Sequence, residues 1–469
     1  MRALLDVTPT PEQLALFSRI RTGVEVIRGA AGSGKTTTAL LKLRAAVGSY
    51  VNRKRRMKSP DPVRILVLTF NRTLKGYVSE LANRQIESGA EIVLQIDTFS
   101  KWAKDLLGSP VMIEADEATA FLRRAAAALP LPEEFVIEEA RYALERFMPD
   151  KLNDYLTTKR EGRGTTPRME KAAREVLLKQ VIEPYAKRKH QSRESDWNDL
   201  AVRLATEKLA AYDIVIVDET QDFSANEVRA VLNQLSKDHT ATFVLDSAQR
   251  IYPRSFTWQE VGINLRPENS HRLTTNYRNT KQIAQFAASI LSGMTFDDDG
   301  SLPDFSAATR TGEVPVVLVG RFSAQVAYAI NKMKNSIDLT RESVAFLHAK
   351  GGGWFNTLKS ELSGADLDYV SISRKAEWPD GPENIALSTL HSAKGLEFDH
   401  VFILGLNAEV VPVSSESGST DEERLNAVRR LVAMGVGRAR KSVTVGYKPS
   451  DAPKVASFFE DSVCKKVSV

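Results

Sequence analysis

Short apolar runs recur along the chain, separated by longer stretches of mixed polarity. In order they are Val24–Ile27, Arg64–Phe70, Ile92–Ile96, Tyr212–Val217 and Ala241–Leu245. A second series follows: Val314–Gly320, Val344–His348, Tyr369–Ser373, Ile385–Thr389, His400–Leu406 and Val443–Tyr447. Near-continuous rather than alternating apolar positions predict strands buried on both faces of a parallel sheet. Helical stretches fall between them. Pro11–Ile20 has proline at its first position after a capping Thr10, and Thr37–Val47 follows the first apolar run. The alternation predicts an α/β protein with two doubly wound parallel sheets, the second sheet repeating the strand–helix pattern of the first.

From about residue 101 to 200 the pattern changes. Glu114–Leu129, Phe135–Phe147 and Pro167–Arg188 carry helical spacing and dense charge. This predicts a helical insertion in the first sheet domain. Two basic runs stand out. Asn52–Lys58 reads as a surface loop, either solvated or against nucleic-acid phosphates or a partner. Lys159–Gly164 reads as a flexible connector or a backbone contact. Ser417–Thr420 reads as a loop.

Composition narrows the class only a little. The chain has 469 residues, 42% of them hydrophobic and 26% charged, with a net charge of +5. That length predicts more than one domain, and the mild positive charge permits a polyanionic partner without requiring one. Cys464 is the sole cysteine, which excludes an intrachain disulfide and a multi-cysteine zinc site. No apolar run reaches the length of a membrane span and the N-terminus shows no signal pattern, so a cytoplasmic protein without membrane contact is expected.

The candidate chemistry begins with GAAGSGKT at Gly29–Thr36, between an apolar run and a helical stretch. Strand, glycine-rich loop and helix in that order make a phosphate-binding loop. Glycines at 29, 32 and 34 free the backbone torsions, and the N–H groups form a nest for phosphate oxygens. Gly29, Ala30, Ala31, Gly32, Ser33, Gly34, Lys35, Thr36 and Thr37 are therefore the expected nucleotide-binding segment. Lys35 would reach the β- and γ-phosphates, and the Thr36 hydroxyl would hold magnesium. Tyr212–Val217 ends in Asp218–Glu219–Thr220–Gln221–Asp222. An acidic pair closing an apolar strand downstream of a P-loop is the second half of an ATPase site, with Asp218 on magnesium and Glu219 polarising the attacking water. Gln13, on a first helical turn, reads either as a solvated side chain or, since an amide can both donate and accept, as a reader of an adenine edge.

Further along, Thr69–Phe70–Asn71–Arg72 and Asp97–Thr98–Phe99 place polar and aromatic groups at strand C-terminal edges, where open α/β sheets bind ligands. Tyr252, Phe256 and Trp258 follow Ala241–Leu245. Each reads either as core packing or as a platform for single-strand bases.

The order of these pieces resembles the superfamily 1 helicases of the UvrD/Rep/PcrA type. PTPEQ resembles their Q motif, GAAGSGKTT motif I, TFNRTL Ia, DTFSKW Ib and VDETQDF II. LDSAQRIY is similar to motif III, LTTNYRNTKQI to IV, STLHSAKGLEFDHVFI to V and RRLVAMGVGRARKSV to VI. The resemblance implies RecA-like domains: residues 1–100 and 201–262 as the two parts of a first one, 101–200 as its insertion, and 263–469 as a second. It implies ATP and Mg2+ as cofactors, Gln13 reading adenine, Tyr277 stacking on it, Gln249 sensing the γ-phosphate and Glu397 touching the ribose. Arg278 and Arg438 would be arginine fingers. Thr69, Phe70, Arg72, Thr98, Phe99, Tyr252, Phe256, Trp258 and His391 would meet the DNA strand.

The implied activity is ATP-dependent 3′–5′ DNA unwinding or single-strand translocation in repair, DNA processing or anti-phage defence. Its substrate would be single-stranded DNA or a duplex with a 3′ tail. A second expectation is an ATPase subunit that gates a partner nuclease or other effector, and a third is an RNA translocase. Three departures from the pattern stand out. No large 2B-type insertion separates motifs IV and V, Gly437 replaces the usual threonine before Arg438, and Thr37 stands where relatives often carry arginine.

Overall fold

The computed structural model describes residues 11–17, 20–29, 33–69, 91–160, 168–245, 256–273, 278–294, 310–372, 381–411 and 421–469, with Lys75, Ser79, Ala308 and Pro379. Ala30, Ala31, Gly32, Phe70, Arg72, Gln249, Tyr252, Tyr277 and the stretch Ser417–Thr420 lie outside the described residues.

Six described strands build the first sheet: β1 (Gly23–Gly29), β2 (Val63–Thr69), β3 (Ile92–Thr98), β4 (Tyr212–Val217), β5 (Leu235–Leu245) and β6 (Ser270–Leu273). Their spatial order is β3-β2-β4-β5-β1-β6, and all pairs are parallel. Every residue of β4 is buried, as expected of an apolar run covered on both faces. The neighbours of β4 are β2 and β5, so the chain reverses its winding beside it. Because β1, β5 and β4 run parallel, the C-terminal ends of β1 and β4 lie on one edge of the sheet, with β5 between them.

The second sheet contains β7 (Val316–Val319), β8 (Val344–His348), β9 (Val370–Ser371), β10 (Ile385–Thr389), β11 (Phe398–Ile403), β12 (Ala439–Tyr447) and β13 (Lys465–Ser468). Its order is β13-β7-β12-β11-β8-β10-β9, again all parallel. Two parallel sheets of the doubly wound kind are therefore present. Asp399 and His400, buried polar residues of β11, are paired. Asp399 accepts from the Ser343 backbone N–H at 3.0 Å, and His400 Nδ1 lies 2.7 Å from Ser442 Oγ.

Three sequence expectations need correction. The first sheet extends to Leu273 through β6, past the expected boundary at residue 262. The basic run from Asn52 is not a loop as far as Arg56. It is the last turn and a half of a helix spanning Lys35–Arg56, where arginine and lysine oppose the negative end of the helix dipole. The insertion ends before residue 200. Its own core runs from Ile113 to Tyr185, whereas Leu200, Ala201 and Leu204 of helix Trp197–Thr206 pack with the first sheet.

Within the insertion, helical segments run without interruption from Lys171 to Ser192 through a widened turn at Leu177–Ile182. Pro184 has no N–H to offer the preceding turn, which accounts for the change of pitch there. The insertion is tied to the sheet domain by Asn226, whose Nδ2 donates to the Leu144 and Phe147 carbonyls. Arg146, 2.6 Å from Glu260, adds an ion pair. No described helix is long and apolar enough to cross a membrane.

Candidate active site

The phosphate-binding loop hangs between β1 and helix 35–56. Gly34 has φ of 75° and caps that helix, a conformation that costs glycine little and other residues more. A Cβ on Gly34 would also stand 2.2 Å from Gln13 Nε2. Gly29 is required for a different reason. Its torsion is ordinary, but a Cβ there would meet Ser33 Oγ at 2.5 Å and the Leu273 carbonyl at 3.0 Å. Lys35 Nζ donates to the Gly29 carbonyl at 2.8 Å, which bends the side chain back over the loop. The Ser33 hydroxyl is buried with no hydrogen-bond partner among the described residues. An orphaned hydroxyl, a left-handed glycine, a folded-back lysine and a helix N-terminus together fit a phosphate group.

Gln13 is 1% exposed. Its Nε2 donates to the Gly34 carbonyl at 3.2 Å and the Ser33 carbonyl at 3.4 Å, so the helix Pro11–Phe17 is docked on the loop. Thr37 lies on the first turn of helix 35–56, half-buried.

The acidic pair closes β4. Asp218 accepts a 2.8 Å hydrogen bond from Thr36 Oγ1 and another from the Glu219 backbone N–H at 3.0 Å. Burial and the charge of Glu219 push the Asp218 carboxyl up to about 7, against the pull of Thr36 and Lys35. Hydroxyl and carboxylate oxygens this close are hard donors of the kind that hold magnesium while leaving its remaining positions to water and phosphate. Glu219 has φ of 54°, a strained conformation for a residue with a side chain. Burial opposes its ionisation, but Lys394, Arg438 and Lys35 together hold its carboxyl below the ordinary range. It is therefore poised as an anion beside Asp218, and Gln221 donates to it.

The second sheet supplies the opposite wall. Lys394, in the turn after β10, is 2% exposed. It forms an ion pair with Asp222 and lies 3.9 Å from Glu219 Oε2. Sequence reading named His391 and Glu397 in this stretch and passed over Lys394; its place within the motif V match was the available signal. Glu397 is paired with Arg278, and despite burial that arginine keeps its carboxyl ionised well below the usual range. Arg438 is buried and donates to the Met434 carbonyl at 3.2 Å and the Leu396 carbonyl at 3.4 Å. Arg438 lies in the turn after the helix that ends at Val436, and Asn279 Nδ2 braces that turn by donating to the Gly437 carbonyl at 3.1 Å and to that of Ala439 at 2.6 Å. Gly437 thus sits in a braced turn.

The expected strand contacts fare unevenly. Phe99 is 5% exposed and packs edge-on against Trp102 and Phe223, with ring centroids 5.5 and 6.1 Å away. It belongs to the core and does not face a strand. Thr69 is fully buried at the end of β2. Thr98 caps the following helix by accepting from the Lys101 N–H. Phe256 and Trp258 are half-buried and packed edge-on at 5.9 Å, and Trp258 also meets Phe243 of β5 at 5.9 Å. His391 is exposed.

Comparison with known proteins agrees with this architecture. The family model described as AAA domain matches residues 12–254, more than half of the chain. The model described as UvrD-like helicase C-terminal domain matches residues 367–450. Among curated relatives, DNA helicase II of Escherichia coli (strain K12) is 43% identical over 90 residues, 19% of this chain and 12% of its own length. The ATP-dependent DNA helicase Rep of the same strain is 39% identical over 103 residues, 19% of this chain and 15% of its length. The ATP-dependent DNA helicase PcrA of Bacillus subtilis (strain 168) is 39% identical over 79 residues, 17% of this chain and 10% of its length. The matched stretches thus span a small part of each relative.

Proposed function

We propose, from the premise that this chain belongs to the superfamily 1 UvrD-type DNA helicase family, that it is an ATP-driven motor moving 3′ to 5′ on single-stranded DNA. The observation that carries the reading is the convergence on Asp218 and Glu219. Thr36 reaches Asp218 from the P-loop helix, and Lys394 reaches Glu219 from the second sheet. A nucleotide held between the two walls is hydrolysed only when both are in place.

On this reading Lys35 exchanges the Gly29 carbonyl for phosphate oxygens. Glu219, kept anionic by its depressed pKa, orients and polarises the attacking water and is a weak acceptor for its proton. Magnesium on Thr36 and Asp218 would neutralise phosphate charge. Arg278 leaves Glu397, and Arg438 leaves the Met434 and Leu396 carbonyls, to meet charge developing on the transferred phosphoryl group; such a finger is worth about 10³–10⁵ in rate. Glu397, once released, faces the ribose, while Gln13 and Tyr277 take the base. Because Lys394 and Arg438 come from the second sheet's side and Arg278 is paired with Glu397 there, hydrolysis is tied to closure of the cleft. Alternating closure then shifts the grip of the two domains on the strand, with Phe256, Trp258 and His391 among the contacts.

ATPase rates with and without single-stranded DNA or RNA, followed by stopped-flow tracking on labelled oligo-dT, test this. DNA-stimulated turnover with end-directed movement is expected. Turnover without movement would sink the motor reading, and stimulation by RNA alone would reassign the track.

A further inference from the structure

A buried charged cluster lies beside the nucleotide cleft and outside every motif named so far. Glu25 on β1 and Lys42 on helix 35–56 are 2% and 3% exposed. Lys42 Nζ lies 2.6 Å from Glu25 Oε2 and donates to the Leu16 carbonyl at 3.1 Å. His271 of β6 lies with Nε2 3.4 Å from Glu25 Oε1. Burial opposes ionisation of Glu25, but the hydrogen bond to His271 and the charge of Lys42 hold its carboxyl below the ordinary range. The carboxylate is therefore charged, and two separate segments are tied to it.

Those two segments lead to the base-binding side of the cleft. Leu16 is three residues beyond Gln13, so the two share a helix face. Gln13 presses on Gly34. β6 ends at Leu273, whose carbonyl crowds Gly29, and its chain continues toward Tyr277 and Arg278. Helix 11–17 has seven residues, too few to hold a position by its own hydrogen bonds. Its place must be set by anchors, and Lys42 is a directional one at its C-terminal end. A buried ion pair is a weak device for stability, since apolar isosteres often serve as well. Fixing a short helix at a set distance from β1 is something an apolar pair does less well.

We propose that Lys42 and Glu25 are positioning residues for the nucleobase: they hold helix 11–17 so that Gln13 meets an adenine, and they set adenine selectivity through Gln13 rather than through the phosphates. The proposal rests on reading this cleft as an adenine-nucleotide site.

The test is equilibrium titration of the full chain with N-methylanthraniloyl ADP and GDP, without DNA. Lys42→Met should weaken ADP about tenfold, the middle of the range for coupled neighbours, and leave GDP nearly unchanged. Lys42→Arg should restore most of the loss. Gln13→Ala should lose as much as Lys42→Met, and the double variant no more than either. Equal losses for ADP and GDP, additive losses in the double variant, or no loss would overturn the proposal. If Lys42→Met fails to fold, Glu25→Gln keeps the shape and removes the charge; an unchanged ADP-to-GDP ratio then overturns it. A parent chain that prefers ADP but does not hydrolyse ATP on DNA sinks the motor and leaves this proposal standing. A parent chain that binds ADP and GDP alike overturns the proposal itself.

Discussion

Lys394 Nζ stands 3.9 Å from Glu219 Oε2, so the turn after β10 of the second sheet places a buried cation against an acidic group at the end of β4 in the first sheet. The same ammonium is paired with Asp222, and Lys394 contributes most among the charges that keep Glu219 ionised. One side chain thus ties the second sheet to the carboxylate that we propose polarises the attacking water. Replacing Lys394 by methionine removes that tie and leaves Asp222 and Glu219 facing each other with less compensation. DNA-stimulated kcat should fall about 10- to 100-fold, or about 1.4–2.8 kcal/mol of barrier. ADP affinity should hold, because the P-loop is untouched. A variant with normal kcat would show that the contact is a resting-state brace only.

Glu219→Gln removes the anion while keeping shape and the contact with Gln221. General-base catalysis is worth about 10²–10⁴ in rate, and kcat should drop by that order. ATP binding should persist, because burial of a neutral amide beside Asp218 costs less than burial of a second carboxylate. Single-turnover hydrolysis together with filter-bound ATP separates the two effects.

How much of this could be read from the residues follows from the range of each interaction. The buried strands and the loop at Gly29–Thr36 are local: an apolar run, a glycine pattern and a helix start appear within one window. That Gln13, Thr36 and Asp218 gather at the start of helix 35–56 was legible, because each belongs to a motif with its own chemistry. Lys394 lies within the motif V match, but its pairing was not legible, because Asp222 is 172 positions away by sequence and no local pattern encodes such a pair. The edge strands β6 and β13 read SHRL and KKVS, with too few apolar residues to look buried. Phe99 misled for the opposite reason. An aromatic at a strand's C-terminal edge looks like a ligand contact, whereas here the helix it begins turns the ring inward.

The pairing of Thr36 with Asp218 predicts how magnesium should act on stability. The Asp218 carboxyl is pushed up by burial and by Glu219, so a divalent cation there relieves an unfavourable charge. A ligand present at a hundred times its dissociation constant stabilises the folded state by about 2.7 kcal/mol. Adding Mg2+ to the ADP-bound protein should therefore raise Tm further, and chelation should reverse it. Thr36→Ala and Asp218→Asn should each abolish the magnesium increment while leaving part of the ADP increment. A magnesium increment that survives both changes would place the ion elsewhere.

Phe99 and Trp258 offer a contrast that separates packing from strand binding. Phe99 is enclosed by Trp102 and Phe223, and truncating an enclosed phenylalanine costs about 3–5 kcal/mol. Phe99→Ala should lower Tm markedly, and the protein that remains folded should bind oligo-dT as the parent does. Trp258 rests one edge on Phe243 and stays half-buried, so its truncation should cost less stability. If its open side stacks on a base, Trp258→Ala should weaken oligo-dT binding by about 1–3 kcal/mol. Phe256→Ala removes the ring packed edge-on against it, and should weaken binding in the same direction by letting the indole turn. Fluorescence anisotropy of labelled oligo-dT, paired with thermal melts of each variant, resolves the two effects. Equal binding by the parent, Phe256→Ala and Trp258→Ala would assign both rings to the core, and the stacking surface would then have to be sought on the second sheet beside His391.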